Sequence, residues 1–517
     1  MMSHSDNSRA GWRVASGHEA TTQAAVAILE AGGNAADAAI AAATAACVAE
    51  PLLASLGGGV LAVIRHPDQD PIVLDAFAQT PRQRNEGPLD FYPILGHFGT
   101  DTQEFHVGKA SMATPGVVAG LMALSQRFGH LPLKETLQPT IDLARGGVTM
   151  NPVQRYTLEI LQPIVRSSPE CARLFGLDSP DGDLPSVGAK VTNQDMADFC
   201  EIWARDGAAC FYLGEPAQSM AHFAADGGGH LLLEDFQQYQ VHWRTPLTWT
   251  YKNATLYSTP PPAFGGLMLA MALTRLDQDQ AGHSESDAAN LPALIAALDW
   301  TDRTRHELET QAAMASTASL ESAFADLCRR HALVSAGTTH ISVEDGFGLG
   351  VALTLSNGEG SGTVIPGTGI MMNNMLGEED INRCGFHAWP TNRRLASMMA
   401  PTLIERGDRH WLLGSGGSNR IRSALTQVIV NLIDQNRSLE DAILAPRFHV
   451  ESGQIATEVP PDCPLSIGWE WWLQNHPTAR LWPDRNLYFG GVHAISDREA
   501  AADPRRGGNA RKEKSSA

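Results

Sequence analysis

"SAGTTHISVED", Ser335–Asp345, places a small turn residue before two threonines and then alternates apolar and polar positions. That alternation is the period-two signature of a strand, and β-branched residues suit its start. A threonine pair at a strand entrance is commonplace alone, so the meaning of Gly337-Thr338-Thr339 depends on the segments around it.

From Gly337 onward the chain reads as strands: "TTHISVED", "LGVALTLS", "GIMMNN" and "HWLLGSGG". "EDGFG" forms a hairpin turn between the first two. Helices return with "IRSALTQVIVNLIDQ". Upstream, Ala24, Ala25, Ile28 and Leu29 make a helical stripe, Gly32-Gly33 stops it, and Asn34 caps a second, alanine-rich helix. Gly57 to Gly59 then admit backbone conformations closed to other residues and lead into the strand "VLAVIRH". They precede a strand and no lysine follows in the phosphate-loop position, so nucleotide binding is excluded. Val107 to about Ala332 reads as largely helical, punctuated by "TPGVVAGL" and the rigid Pro-rich turn "YSTPPPAFGG". A helix-rich first half and a strand-rich second half predict layered packing around antiparallel sheets.

The 517 residues are 43% hydrophobic, enough for a large core. No apolar run is long enough to span a membrane. The start "MMSHSDNSRAGWR" lacks an apolar secretory region, so a cytoplasmic protein is expected. Seven scattered cysteines form no CxxC pair and read as reduced thiols, without a structural metal. A formal charge of −19 argues against a nucleic-acid surface. The ending "DPRRGGNARKEKSSA", about 503–517, is basic and aperiodic and reads as a disordered tail.

Three segments could converge on Thr338. "TLSNGEGSG" holds Thr354, Ser356 and Asn357 at the end of the paired strand. "RRLASMMAPT" brings Ser397 with two cations. "GSGGSNR" sets small residues after a strand and before a helix, where backbone N–H groups can receive an anion. Each alone is most simply a tight turn.

Together, "GGNAADAAIAAA", "EPLLASLGGG", "TPGVVAG", "YSTPPPAFGG", "TTHISVED", "GTGIMMNN", "SMMAPT", "GSGGSNRI" and "APRFH" resemble the γ-glutamyltranspeptidase family of N-terminal-nucleophile hydrolases. The likeness runs from about His18 to Phe448, in the family's order. It implies an α+β fold, a four-layer αββα sandwich made as one precursor that cuts itself between Gly337 and Thr338. The large segment 1–337 and the small segment 338–517 would share one core and stay associated as a heterodimer, with further oligomerisation left open. No cofactor or metal is implied.

The chemistry explains the Gly-Thr sequence. A threonine hydroxyl is a weak nucleophile without a base beside it. Cleavage frees the Thr338 α-amine, whose ordinary pKa of roughly 7.7–8.0 suits it to take the hydroxyl proton near neutral pH. By the resemblance, Ser356 stands for a threonine that hydrogen-bonds the nucleophile, and Asn357 for an asparagine on the substrate. Gly417 and Ser418 stand for the oxyanion-hole pair, and Ser397 for the first of two carboxylate-binding serines.

Three positions depart from the family pattern, all on the substrate side. Phe77 in "VLDAFAQTP" stands where the family has a carboxylate-binding arginine, a contact that no apolar ring replaces. Met398 stands for the second serine, and Glu378 in "NNMLGEED" lies near the acidic residue that holds the α-amino group. Arg82, Arg84, Arg393 or Arg394 could supply the missing cation. The expected activity is that of a γ-glutamyltransferase-type enzyme that forms a γ-glutamyl ester on Thr338 from glutathione or another γ-glutamyl amide. The ester then passes to water or to an amino-acid or peptide acceptor. The alternatives are an acylase of the same fold acting on a non-glutamyl amide, and a catalytically silent binding protein.

Overall fold

The computed structural model describes residues 11–98, 101–280, 287–310, 337–378, 386–462, 474 and 476–513. Two sheets, antiparallel throughout, lie face to face. The first has seven strands, in the spatial order Asn509–Lys512, Arg13–Ser16, Thr338–Glu344, Gly350–Ser356, Gly59–His66, Gln69–Ala76, His242–Arg244. The second has six: Ala500–Ala502, Gly491–Ser496, Arg409–Gly416, Thr402–Arg406, Ala254–Ser258, Leu247–Tyr251. Ala15, Val63 and Ala352 of the first meet Leu403, Leu412 and Ile495 of the second.

Helices cover both outer faces. Glu19–Glu30, Ala35–Ala49, Val117–Phe128, Leu133–Gly146 and Gln194–Asp206 share a core with Val60, Ile341 and Val343 of the first sheet. Gly265–Gln280, Asp287–Thr310, Arg420–Ile433 and Leu439–Leu444 lie with Leu256, Ile404 and Leu413 of the second. The result is the expected αββα sandwich. Its innermost helix, Ala35–Ala49, begins with a capping box in which Asn34 accepts from the Asp37 amide and Asp37 accepts from that of Asn34. Every residue of this helix is buried, because small alanine side chains let it lie close to the sheet on one side and to its neighbours on the other.

The alternation along Thr338–Glu344 decides what each face meets. Ile341 and Val343 enter the helix-side core. His340 and Ser342 face the second sheet: His340 Nδ1 lies 2.7 Å from Thr354 Oγ1 and Nε2 2.9 Å from Ser342 Oγ, which donates to Leu412 O at 3.0 Å. These buried polar groups are therefore satisfied.

Three expectations change. The helical reading of Val107–Ala332 misses "HWRTPLTWTYKNATLYS", which supplies three strands, two of them in the second sheet. The tail expected to be disordered is ordered through Glu513: Pro504–Arg506 is a 3₁₀ turn and Asn509–Lys512 pairs with Arg13–Ser16. A neighbouring strand supplies the order that composition could not reveal; 514–517 lie outside the described residues. Gly57 to Gly59 are needed for space rather than for unusual dihedrals, since a Cβ on Gly58 would stand 2.1 Å from Ser356 O. Among the described residues, no helix is long and apolar enough to cross a membrane.

Candidate active site

Thr338 heads its strand, with Ser356 directly opposite and Gly59 opposite Ser356 on the next strand. It is 2% exposed. Ser356 Oγ donates to the carbonyl oxygen of Gly337 at 2.6 Å and accepts from Thr338 Oγ1 at 3.3 Å and from the Gly358 amide at 3.2 Å. A hydroxyl has one proton to give, and a carbonyl can only accept, so the Ser356 proton points at Gly337 O. Thr338 must then donate to Ser356. One side chain polarises the Gly337–Thr338 peptide and draws on the hydroxyl beside it. Gly337 is compelled by space: a Cβ would stand 2.3 Å from Gly358 O and 2.8 Å from Leu52 O.

A cleft of about 720 Å³ opens beside this peptide, lined by Gly337, Glu359, Gly417, Ser418, Arg420 and Arg506, with an apolar wall that includes Leu53, Ile160 and Leu161. Gly417 (φ 114°) and Ser418 (φ 61°) form the turn between Arg409–Gly416 and the helix Arg420–Ile433. Positive φ is uncommon for a serine. The turn lies tight against the Thr338 strand, since a Cβ on Gly416 would be 2.0 Å from Thr338 O. Backbone amides leading into a helix, aided by its dipole, suit a developing oxyanion.

Glu359 is a cleft residue that sequence reading missed. It is 5% exposed and accepts from the Gly337 amide at 3.3 Å. Burial pushes its carboxyl up to about 7, opposed by hydrogen bonds from Glu378 and the Gly337 amide. Two adjacent buried carboxyls hold a proton more readily than one. The available signal was "NGEG", an acid between two glycines directly after the strand that pairs with Thr338. Glu378, expected at the substrate, is 2% exposed and does not line the cleft; it lies behind Glu359 and belongs to this pair.

The other expected residues divide. Asn357 is fully buried next to Ser356, and its amide oxygen and nitrogen have no hydrogen-bond partner among the described residues. Ser397 and Met398, each 2% exposed, do not line the cleft. The Ser397 carbonyl instead accepts from the Phe264 and Gly265 amides at 2.7 and 3.1 Å, and its hydroxyl accepts from Met399 N at 3.1 Å. Phe77 is 1% exposed in the core with Leu61 and Phe264, so its ring has no access to substrate. None of the four candidate arginines lines the cleft. Arg394 is committed to Asp75 at 3.3 Å and to the Phe77 carbonyl, Arg84 stacks on Trp389, and Arg393 is exposed. The cations at the cleft are Arg420 and Arg506. Among the described residues no cluster of three or more His, Cys, Asp or Glu could hold a metal ion.

Two facing sheets between helix layers, with a Gly-Thr peptide at the head of a central strand, define an N-terminal-nucleophile hydrolase fold. Cephalosporin acylase from Bacillus halodurans shares it, with a TM-score of 0.79 and 24% identity over 97% of this chain and 96% of that one. The family profile described as gamma-glutamyltranspeptidase matches residues 21–512, and the chain belongs to that family. Its relatives carry two kinds of name. The acylase ACY 1 proenzyme of Pseudomonas sp. (strain V22) is 30% identical over 93% of this chain and 89% of its own length. The glutathione hydrolase proenzyme of Escherichia coli (strain K12) is 28% identical over 84% of this chain and 80% of its own.

Proposed function

We propose that this chain is the self-cleaving precursor of an amide hydrolase or acyl transferase whose nucleophile is Thr338. The observation that carries this reading is the Ser356 hydroxyl shared between the Gly337 carbonyl and the Thr338 hydroxyl. Thr338 Oγ1 attacks the Gly337 carbonyl carbon, the C–N bond breaks, and the resulting ester is hydrolysed by water. The freed α-amine then serves as general base. In turnover Thr338 Oγ1 takes the acyl group of a substrate amide as its C–N bond breaks, and the α-amine passes the hydroxyl proton to the departing amine. The amides of Gly417 and Ser418 stabilise the oxyanion, and water or an amine then takes the acyl group from the ester.

The acyl group favoured is γ-glutamyl or a close relative with an amino group, because Glu359 lines the cleft and is backed by the buried carboxyl of Glu378. A second reading, an acylase for a non-glutamyl amide, draws support from the burial of Phe77, from the apolar wall, and from relatives named acylase. The nucleophile is tested by Thr338→Ala, which should run as one uncut chain without amidase activity; an uncut wild type that still turns over an amide sinks the mechanism. The acyl group is tested by comparing γ-glutamyl-p-nitroanilide with glutaryl-p-nitroanilide, which lacks the amino group. Preference for the first supports the acid pair as an ammonium site, and preference for the second moves the assignment to the acylase reading.

A further inference from the structure

Self-cleavage creates a mechanical problem. Once the Gly337–Thr338 bond is cut, Thr338 becomes a chain terminus, and termini fray unless tied down. Two charged residues, Glu50 and the cleft-lining Arg506, already grip this terminus. Glu50 ends the helix Ala35–Ala49 at 6% exposure, with both carboxylate oxygens 3.3 Å from Thr339 Oγ1. Arg506, in the turn after Asp503, donates from Nη1 to Thr338 O at 3.2 Å and from Nη2 to Leu487 O at 3.4 Å. Three glycines make room for its side chain. A Cβ on Gly491 would stand 2.6 Å from Arg506 Cδ, one on Gly416 3.1 Å from Nη1, and one on Gly417 3.3 Å from Nη2. The guanidinium thus lies between the oxyanion turn and the nucleophile's own carbonyl.

We propose that Glu50 and Arg506 are a pair of positioning residues that hold the Thr338–Thr339 peptide unit in register with the Gly417–Ser418 turn after the chain is cut. This rests on Thr338 being the nucleophile. Arg506 fixes the backbone oxygen of Thr338, and Glu50 fixes the side chain of the next residue from the helix side of the sheet. The two are also coupled by charge. Burial pushes the Glu50 carboxyl up to about 7, while the Thr339 hydroxyl and the Arg506 charge work against that rise. Burial lowers Arg506 to about 10, with Glu50 opposing. The other titratable groups facing Glu50 are Cys47 on its own helix and His18, which lines the same cavity. Protonating Glu50 leaves Asp503 as the anion acting on Arg506 and takes the charge off the acceptor of the Thr339 hydroxyl, so the grip on Thr339 weakens as pH falls through about 7.

The test uses fully cut enzyme. Glu50→Gln and Thr339→Val should each lower kcat on the order of 10- to 100-fold, the scale of a misplacement near 1 Å, while KM changes far less. Arg506→Lys should retain more kcat than Arg506→Gln. Glu50→Gln combined with Arg506→Gln should be little worse than the poorer single variant, since both act on one unit. The acidic limb of the wild-type kcat profile should carry two protons, Glu50 and the Thr338 amine; in Glu50→Gln it should carry one. Should Glu50→Gln fail to fold, Thr339→Val decides alone. Activity surviving in Thr338→Ala would defeat the nucleophile itself. If Thr338→Ala is dead while Glu50→Gln and Thr339→Val match wild type in kcat and limb, only the positioning role is overturned.

Discussion

Ser356→Ala deletes one hydroxyl and three hydrogen bonds: to the Gly337 carbonyl at 2.6 Å, from Thr338 Oγ1 at 3.3 Å, and from the Gly358 amide at 3.2 Å. In the proposed self-cleavage the first matters most, because charge would develop on that carbonyl oxygen as Thr338 attacks. Losing one such donor typically costs about 10²–10³ in rate, or about 2.7–4 kcal/mol. The other two govern stability. Ser356 is 3% exposed, so the orphaned Gly358 N–H has no route to water, and an unsatisfied buried donor costs about 1–3 kcal/mol. The variant should fold with a lowered denaturation midpoint and cut itself hundreds of times more slowly. Freshly purified precursor is incubated, sampled onto denaturing gels, and the uncut fraction fitted to a first-order decay. Ser356→Thr restores the hydroxyl and should recover most of the rate. Cleavage of folded Ser356→Ala within about threefold of wild type would refute the donor role, since a lost oxyanion donor costs far more.

Gly337→Ala should block cleavage or folding, because the new methyl meets Gly358 O and Leu52 O; a normally cut Ala variant, checked by N-terminal sequencing, contradicts that geometry. Phe77→Arg should not create a carboxylate site, since the ring lies in the apolar core. An unpaired buried charge there costs on the order of 3–5 kcal/mol, visible as a lower urea midpoint with no gain in kcat/KM for γ-glutamyl donors. Glu359 has a folded pKa near 7 against an ordinary 4.5. The folded state therefore holds this proton more tightly, and stability is lost as pH rises from about 4.5 through about 7. Glu359→Gln should flatten that part of the Tm–pH curve, and an unchanged slope would argue that Glu359 is not a buried acid in solution.

The strands around Thr338 were legible because each carries a local signal: alternation in "TTHISVED", a tight turn in "EDGFG", and small residues between strand and helix in "GSGGSNR". The cap at Asn34 was readable for the same reason, though its reciprocal partner Asp37 was not. What failed to read was settled by distant partners. "LTWTYKNATLYS" alternates as a strand should, but sat within a stretch whose surroundings are helical. Asn509–Lys512 has no apolar pattern and becomes a strand because Arg13–Ser16 offers it an open edge. At the site, chain order is enough to bring Thr338, Ser356 and the Gly417–Ser418 turn into one neighbourhood. On the expected substrate side, the direction of each side chain decides, and Phe77, Ser397 and Met398 do not line the cleft. Phe77 and Arg394 stand near each other with the Arg394 guanidinium on the Phe77 carbonyl, so the cation is spent on backbone and on Asp75. Arg506, close to the chain's end, takes a place at the cleft that only the folded turn reveals.

The strand order has a consequence for the life of the molecule. Segments before and after Gly337 meet at three places in the first sheet: Asn509–Lys512 lies against Arg13–Ser16, that strand against Thr338–Glu344, and Gly350–Ser356 against Gly59–His66. In the second sheet Ala254–Ser258 zips to Thr402–Arg406. A break at Gly337–Thr338 leaves these ladders in place, so the halves cannot part without peeling both sheets open. It does change the molecularity of the return journey. Before the cut, collapse is a first-order event within one chain; afterwards the two pieces must find each other, and recovery slows with dilution. Heated or denatured enzyme of the cut form should regain its structure only at high concentration, whereas uncut Thr338→Ala should do so at any. The proposed bond cleavage would then act as a ratchet, leaving the fold easy to enter once and hard to re-enter after it has been lost.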